Sequence, residues 1–256
     1  MPCEQMKIRK PAVAGAFYPD DKEELSEMIQ GFLSKVPEQT VPGELKAIIV
    51  PHAGYEYSGQ VAACAYSLLK AVAPKKILIV GPSHYAYFFG AVGDTNEYWE
   101  TPLGMVKVTS SGLQKFEEAH IREHSIEVQV PFLQSVLKDF EIMPVTTGDD
   151  DSDEIAEQIK PFLKDHFLVV SSDLSHFHSY ADASKLDKAT CGAIETIDLK
   201  TLKADGEACG MRAITATLRL AKELGWKCKL LCYKNSGDVT GDKTKVVGYA
   251  SMAFYT

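Results

Sequence analysis

The sequence predicts an α/β fold, a single domain with a mainly parallel or mixed central sheet and helices on both faces. Three observations carry that expectation. Unbroken apolar runs recur at 47–50 (AIIV), 76–80 (KILIV), 141–145 (EIMPV) and 167–170 (FLVV), the pattern of strands covered on both faces. Segments with helical spacing of apolar residues alternate with these runs. Several runs also stop at residues able to do chemistry, namely His52, His84 and the Asp173–His176 pair. Open α/β sheets assemble their crevices just past the carboxyl ends of strands.

The elements follow in order. Residues 9–21 carry Gly15, Phe17, Tyr18 and Pro19 and read as an extended segment and turn. Asp20 or Asp21 caps a helix over 23–33, with Leu25, Met28, Ile29 and Phe32 on one face. Residues 37–43 are a loop. The strand at 47–50 turns at Pro51, places His52 at the turn, and feeds a helix over 60–69. The strand at 76–80 runs into GPSH, ending at His84. YWETPLGMVKV predicts a hairpin turning at 101–104. Residues 123–137 have helical spacing at Ile126, Val130, Leu133 and Leu137, with Pro131 as a kink or the end of a short first turn. DSDEIAEQIKPFL (151–163) is a capped amphipathic helix. Further helices are expected at 181–196 and 210–224, and strands at 229–233 and 246–254. Only about a dozen residues join these last strands, which suits an antiparallel pair. No repeat, low-complexity segment or linker appears, so residues 1–256 are expected to form one domain.

Composition narrows the classes. With 256 residues the chain can bury a large core, and 45% hydrophobic with 24% charged residues is ordinary for a globule. A net charge of −8 without a dense Lys/Arg cluster argues against a nucleic-acid partner. No apolar run reaches membrane length, and the first residues lack a signal-peptide core, so a cytoplasmic protein is expected. Six cysteines, at 3, 64, 191, 209, 228 and 232, form no CxxC motif. Cys228 and Cys232 share a strand face roughly 13 Å apart, too far for a bridge. Reduced, mostly core cysteines are expected.

Chemistry concentrates after strands. Two neutral imidazoles and a carboxylate suit Fe(II) with open positions, and His52, His84 and Asp238 supply that set. An Asp in SGDVTGD equally forms a turn with its own backbone. In SSDLSHFH, Asp173 can orient His176 as an acid/base imidazole, or cap a helix and leave His176 exposed. His124 and Glu127, three apart on the expected helix, either face the pocket or form a solvated pair, which position alone favours. Tyr55, with Tyr57, Tyr85 and Trp99, lines a pocket or belongs to the core. Cys209, at a helix start, reads as packing rather than as a nucleophile. His120, His166 and His178 read as structural or surface residues. GxGxxG, Walker, HExxH and GxSxG motifs are absent.

AGAFYP (14–19), VPHAGYEYSG (50–59), GPSH (81–84), TPLG (101–104), EHSIEVQVPF (123–132), SSDLSH (171–176), ACG (208–210) and SGDVTGD (236–242) together resemble the Memo family, whose microbial members are called AmmeMemoRadiSam system protein B. The resemblance spans about residues 9–256. It implies a fold like the class III extradiol ring-cleaving dioxygenases, which hold non-haem Fe(II) on two histidines and a glutamate. It makes His52 and His84 the metal histidines, and Asp173 and His176 the pocket pair. The animal member has a cysteine as third ligand, with copper or iron. NSGDVTGD, the stretch read as its counterpart, has no cysteine, so Asp238 takes the place. The composite name implies an AMMECR-like protein and a radical S-adenosylmethionine protein as partners.

Three functions are therefore open. One is a non-haem iron oxidoreductase acting on an unidentified small molecule, with His176 moving a proton. The second is a peptide- or protein-binding module without catalysis. The third is a metal-dependent hydrolase with Zn²⁺. Fe(II) is the favoured cofactor, with copper and zinc as alternatives and a metal-free protein as purified a further one. A nucleic-acid or membrane partner is not expected.

Overall fold

In the computed structural model, which describes residues 6–149 and 152–256, the four expected central strands lie side by side. They are β2 (Leu45–Val50), β3 (Lys76–Pro82), β7 (Glu141–Thr147) and β8 (Phe167–Ser171), in the spatial order β7-β3-β8-β2 and all parallel. The sheet extends beyond β7 through β6 (Gly104–Val108), β5 (Tyr98–Thr101) and β1 (Ile8–Arg9). Beyond β2 it adds β11 (Val246–Tyr255), antiparallel to β2, and then β10 (Lys227–Asn235), antiparallel to β11. Two short strands pair off this path: β4 (Ala91–Gly93) on β7 and β9 (His176–His178) on β11.

The continuous apolar runs have a simple cause. Side chains alternate across a strand, so a strand covered on both faces needs apolar residues at every position. Ile48 and Val50 of β2 join the core under α1 (Lys22–Ser34), α2 (Tyr55–Val72) and α3 (Val130–Val136). Ala47 and Ile49 join the opposite core under α4 (Ser152–Ile159), α5 (Tyr180–Glu195), α6 (Leu199–Asp205) and α7 (Met211–Leu224). Burying each Ile or Leu contributes about 1.5–3 kcal/mol, so each face independently resists strand slippage.

Local signals explain most element ends. Asp21 caps α1 by accepting the Glu24 N–H at 2.9 Å. The predicted hairpin turn is present, with Thr101 paired to Gly104. Helix α2 begins at Tyr55 rather than residue 60, because burial of the Tyr55 ring adds a turn directly after the Gly54 cap. The helix expected over 123–137 is shorter. A 3-10 turn, Glu127–Gln129, precedes α3, and Pro131 sits in the first turn of α3, where its missing N–H costs nothing. Helix α6 follows an Asp198 cap that the sequence reading passed over. The loop between β10 and β11 contains α8 (Ser236–Thr240). Asp151, the first residue of the expected capped helix, and Cys3 lie outside the described residues. Among the described residues no helix is long and apolar enough to cross a membrane.

This topology aligns the carboxyl ends of the central strands. Val50 pairs with Ser171, and Pro82 with Thr147, so the loops carrying His52, His84 and Asp173 leave the sheet at one edge. A Cβ on Gly210 would stand 2.7 Å from Ser172 Cβ and 2.9 Å from Ser171 O. Glycine there lets the start of α7, with Cys209 before it, close onto the end of β8.

Candidate metal centre

His52, His84 and His124 meet above that edge. One ligand nitrogen from each lies within 4.8 Å of the others. Their ring centroids are 4.5 Å (His84–His124), 5.2 Å (His52–His84) and 5.4 Å (His52–His124) apart.

The hydrogen bonds behind two of the rings assign their protons. Ser171 Oγ donates to Ser125 O at 2.5 Å and accepts from Gln129 Nε2 at 2.8 Å. Gln129 is itself oriented, since its Oε1 accepts from Tyr66 Oη at 2.9 Å and its Nε2 reaches Pro51 O at 3.0 Å. Ser171 has spent its one proton, so its contact with His52 Nδ1, at 2.9 Å, is a bond donated by the ring. His52 Nε2 is left as a lone pair facing the cluster. His84 Nδ1 donates to Glu123 Oε1 at 2.8 Å, which leaves Nε2 of His84 in the same state. Glu123 also accepts the N–H groups of His84 and Ser125. Burial alone would raise the Glu123 carboxyl, but these bonds outweigh it and hold the group down at about 2. A carboxylate behind a ligating histidine fixes its tautomer and raises its basicity.

Burial, reinforced by the neighbouring His84, pushes the His52 imidazole down to about 3. Burial, with His52 beside it, pushes His124 down to about 4. Both are neutral at physiological pH, the form that binds metal. His124 Nδ1 is buried without a hydrogen-bond partner among the described residues, with Glu123 Oε1 3.5 Å away. An orphaned imidazole nitrogen beside two prepared lone pairs fits a bound cation.

A thiol completes the group. Cys209 Sγ lies 3.1 Å from His52 Nε2 and accepts the Asp173 N–H at 3.2 Å. Burial, then the Asp173 charge, pushes this thiol up to about 12, so it donates its proton to the His52 lone pair. A soft N/S donor set suits iron, copper or zinc.

Residues 9–253 match the family model described as Memo-like protein. The chain belongs to the Memo family. It is 38% identical to a MEMO1 family protein of Thermoplasma acidophilum, covering 95% of this chain and 97% of the relative. Identity is 35% to one from Aquifex aeolicus (97% and 100%) and 37% to one from Methanobrevibacter smithii (96% and 99%).

Several residues of this Memo-family chain take places other than those expected. Asp238, expected at the metal, is the third residue of a capping box. Its Oδ2 accepts the Asn235 N–H at 2.9 Å and its Oδ1 accepts Tyr180 Oη at 2.7 Å. Glu127, expected in the pocket or in solvent, is buried in an ion pair with Arg9 at 2.6 Å. It also accepts the N–H groups of Ala12 and Val13 and the Tyr18 hydroxyl. His124 and Glu127 part because the chain between them, residues 125–126, is a turn and helical backbone begins only at Glu127. Tyr55 is a core residue, its hydroxyl donating to Val128 O at 2.6 Å and its ring packed on Phe132.

Asp173 does not orient His176. Its Oδ1 accepts the His52 N–H at 2.7 Å, and burial raises its carboxyl against bonds from the His52 and Ala53 backbone. The His176 ring is oriented instead by the Leu174 carbonyl, which accepts Nδ1–H at 2.8 Å and leaves Nε2 as the basic atom. The residue after it, Phe177, has a φ of 62° and is 69% exposed, a strained conformation for an aromatic side chain. A cavity of about 420 Å³ borders Cys209, walled by Pro82, Ser83, Tyr87, Thr147 and Arg212.

Sequence reading weighed His124 as a pocket residue or half of a solvated pair and Cys209 as packing, and it passed over Glu123, Ser171 and Gln129. ACG and EHSIE were visible as motifs; what their side chains face was not.

Proposed function

We propose that the protein is a non-haem iron oxidoreductase acting on a small molecule. The observation that carries this reading is the pair of prepared lone pairs on His52 and His84 with the orphaned His124 beside them. His52, His84 and His124 would hold the metal, with Cys209 as the adjoining thiol donor. When bound, iron supplies Lewis acidity and a redox couple at substrate. The chain's own residues do the rest. Glu123 and Ser171 hold the two ligating rings in one tautomer. His176 accepts or returns a proton at Nε2. The cavity of about 420 Å³ beside Cys209 matches the volume of a small-molecule site.

The test is metal content after anaerobic purification, for the wild type and for the His52→Ala/His84→Ala variant. Near-stoichiometric iron in the wild type, lost in the variant, is the expected result. A second reading, a zinc hydrolase, is favoured by the three-histidine donor set alone. Zinc bound and lost in the same way selects it. No metal in either protein, even when Fe(II), Cu(I) and Zn²⁺ are offered, overturns both readings.

A further inference from the structure

The cavity beside Cys209 carries a charge pattern that the metal centre does not use. Its floor lies at the carboxyl ends of β3 and β7, where Pro82 pairs with Thr147. The hydroxyls of its wall are already committed. Ser83 Oγ donates to Ala86 O at 2.8 Å, and Thr147 Oγ1 donates to Gly81 O at 3.2 Å. Among the described lining residues the charged side chains are Asp149, just past β7, and Arg212, in the first turn of α7. They form an ion pair with each other.

The two side chains are 45% (Arg212) and 50% (Asp149) exposed, so solutes reach both. An ion pair this exposed adds little to stability, and a ligand can part it easily. Tyr87 and Met211 give the same wall an aromatic and an apolar surface. Cys209 also lines the cavity, with its Sγ 3.1 Å from His52 Nε2. A molecule that fills the cavity therefore touches the ion pair and the thiol beside the histidine cluster at once.

A paired wall selects its ligand by charge type. A monoanion at Arg212 is repelled by Asp149, and a monocation at Asp149 is repelled by Arg212. A ligand with both charges replaces both halves of the pair and leaves neither unmatched. Because the two side chains reach each other, the ligand's charges must also lie close together, as they do on the one carbon of an α-amino acid. The N-terminus of α7 has no side-chain cap, so a carboxylate at Arg212 also meets the positive end of the helix dipole.

We propose that this cavity takes an α-amino acid as substrate, with its carboxylate on Arg212, its ammonium on Asp149 and its side chain toward Cys209. Arg212 and Asp149 thus determine specificity, and neither holds metal. The inference rests on the small-molecule site proposed above, but not on iron.

The test is calorimetric titration of the full chain, as purified and after metal removal with EDTA, with the common L-amino acids. For the tightest binder, the amine lacking its carboxylate and the acid lacking its amino group are titrated next. The expected result is millimolar or tighter binding of an amino acid with an apolar or aromatic side chain, and a loss of about 10–100-fold for each single-charge analogue. Arg212→Met and Asp149→Asn should each weaken the amino acid by a similar factor. They should also shift preference in opposite directions, Asp149→Asn toward the acid and Arg212→Met toward the amine. Failure of every amino acid to bind overturns the proposal, as does an amine or acid that binds as tightly as its parent amino acid. The wild-type panel decides by itself, so a poorly folding variant does not weaken the test. An amino acid bound by protein that takes no iron keeps this inference while the oxidoreductase reading falls; iron bound without any amino acid gives the reverse.

Discussion

Glu123 and Glu127 lie on one short stretch of chain, and both are almost completely removed from solvent. Their side chains serve different partners. Glu127 meets the Arg9 guanidinium, two backbone N–H groups and a tyrosine hydroxyl, so its charge is matched and immobile. It fastens the N-terminal segment to the loop behind the metal centre. Glu123 meets an imidazole and two backbone N–H groups, so its charge is held at a ring of the three-histidine cluster that could hold a metal. A buried carboxylate is thus structural or functional according to whether its partner carries a permanent charge or a lone pair still to be used.

The comparison is broken most sharply at Glu127. Removing one partner of a buried ion pair strands the other charge, at a cost of about 3–5 kcal/mol. Glu127→Gln and Arg9→Met should each lower stability by that order in urea unfolding, and the double variant should lose less than the sum. Metal bound per folded molecule should not change. If it falls, Glu127 belongs to the centre after all.

Glu123→Gln reverses the pattern. It should weaken metal binding about 10–100-fold, as loss of a carboxylate behind a ligating histidine does. Titration with Fe(II) or Zn²⁺ measures this, and an unchanged affinity would remove Glu123 from the centre.

A smaller effect separates the regions by pH. The folded chain holds His52 at about 3 and His124 at about 4, against an ordinary value of 6.5. Both are depressed bases, so the unfolded chain takes up their protons first. Stability of the metal-free protein should be full above 6.5 and decline as pH falls through 4 toward 3. Glu123 adds to the decline below its ordinary 4.5, down to about 2. His52→Gln should flatten the slope between pH 6.5 and 4.5; an unaltered slope would place its origin elsewhere.

The smallest change is expected at Asp238. Asp238→Asn weakens a capping box and should cost about 1 kcal/mol or less, with metal affinity unaffected. Loss of metal in this variant would restore Asp238 as a ligand.

What the sequence by itself determined is the sheet and the placement of two histidines. Strands covered on both faces write their burial into consecutive residues, so 47–50, 76–80, 141–145 and 167–170 were legible, and His52 and His84 followed as residues just past their ends. Caps and turns such as Asp21 and 101–104 are equally local. Only the tertiary structure decided which way EHSIE faces. His124 enters the centre and Glu127 leaves it because a turn at 125–126, not a continuous helix, separates them, and Arg9 waits 118 residues away. Only packing of α7 on β8 brings Cys209 to His52, across 157 residues. Asp238 had the right chemistry but was consumed by its own cap. A side chain's type is local information, while the partner that spends its lone pairs is set by contacts far along the chain.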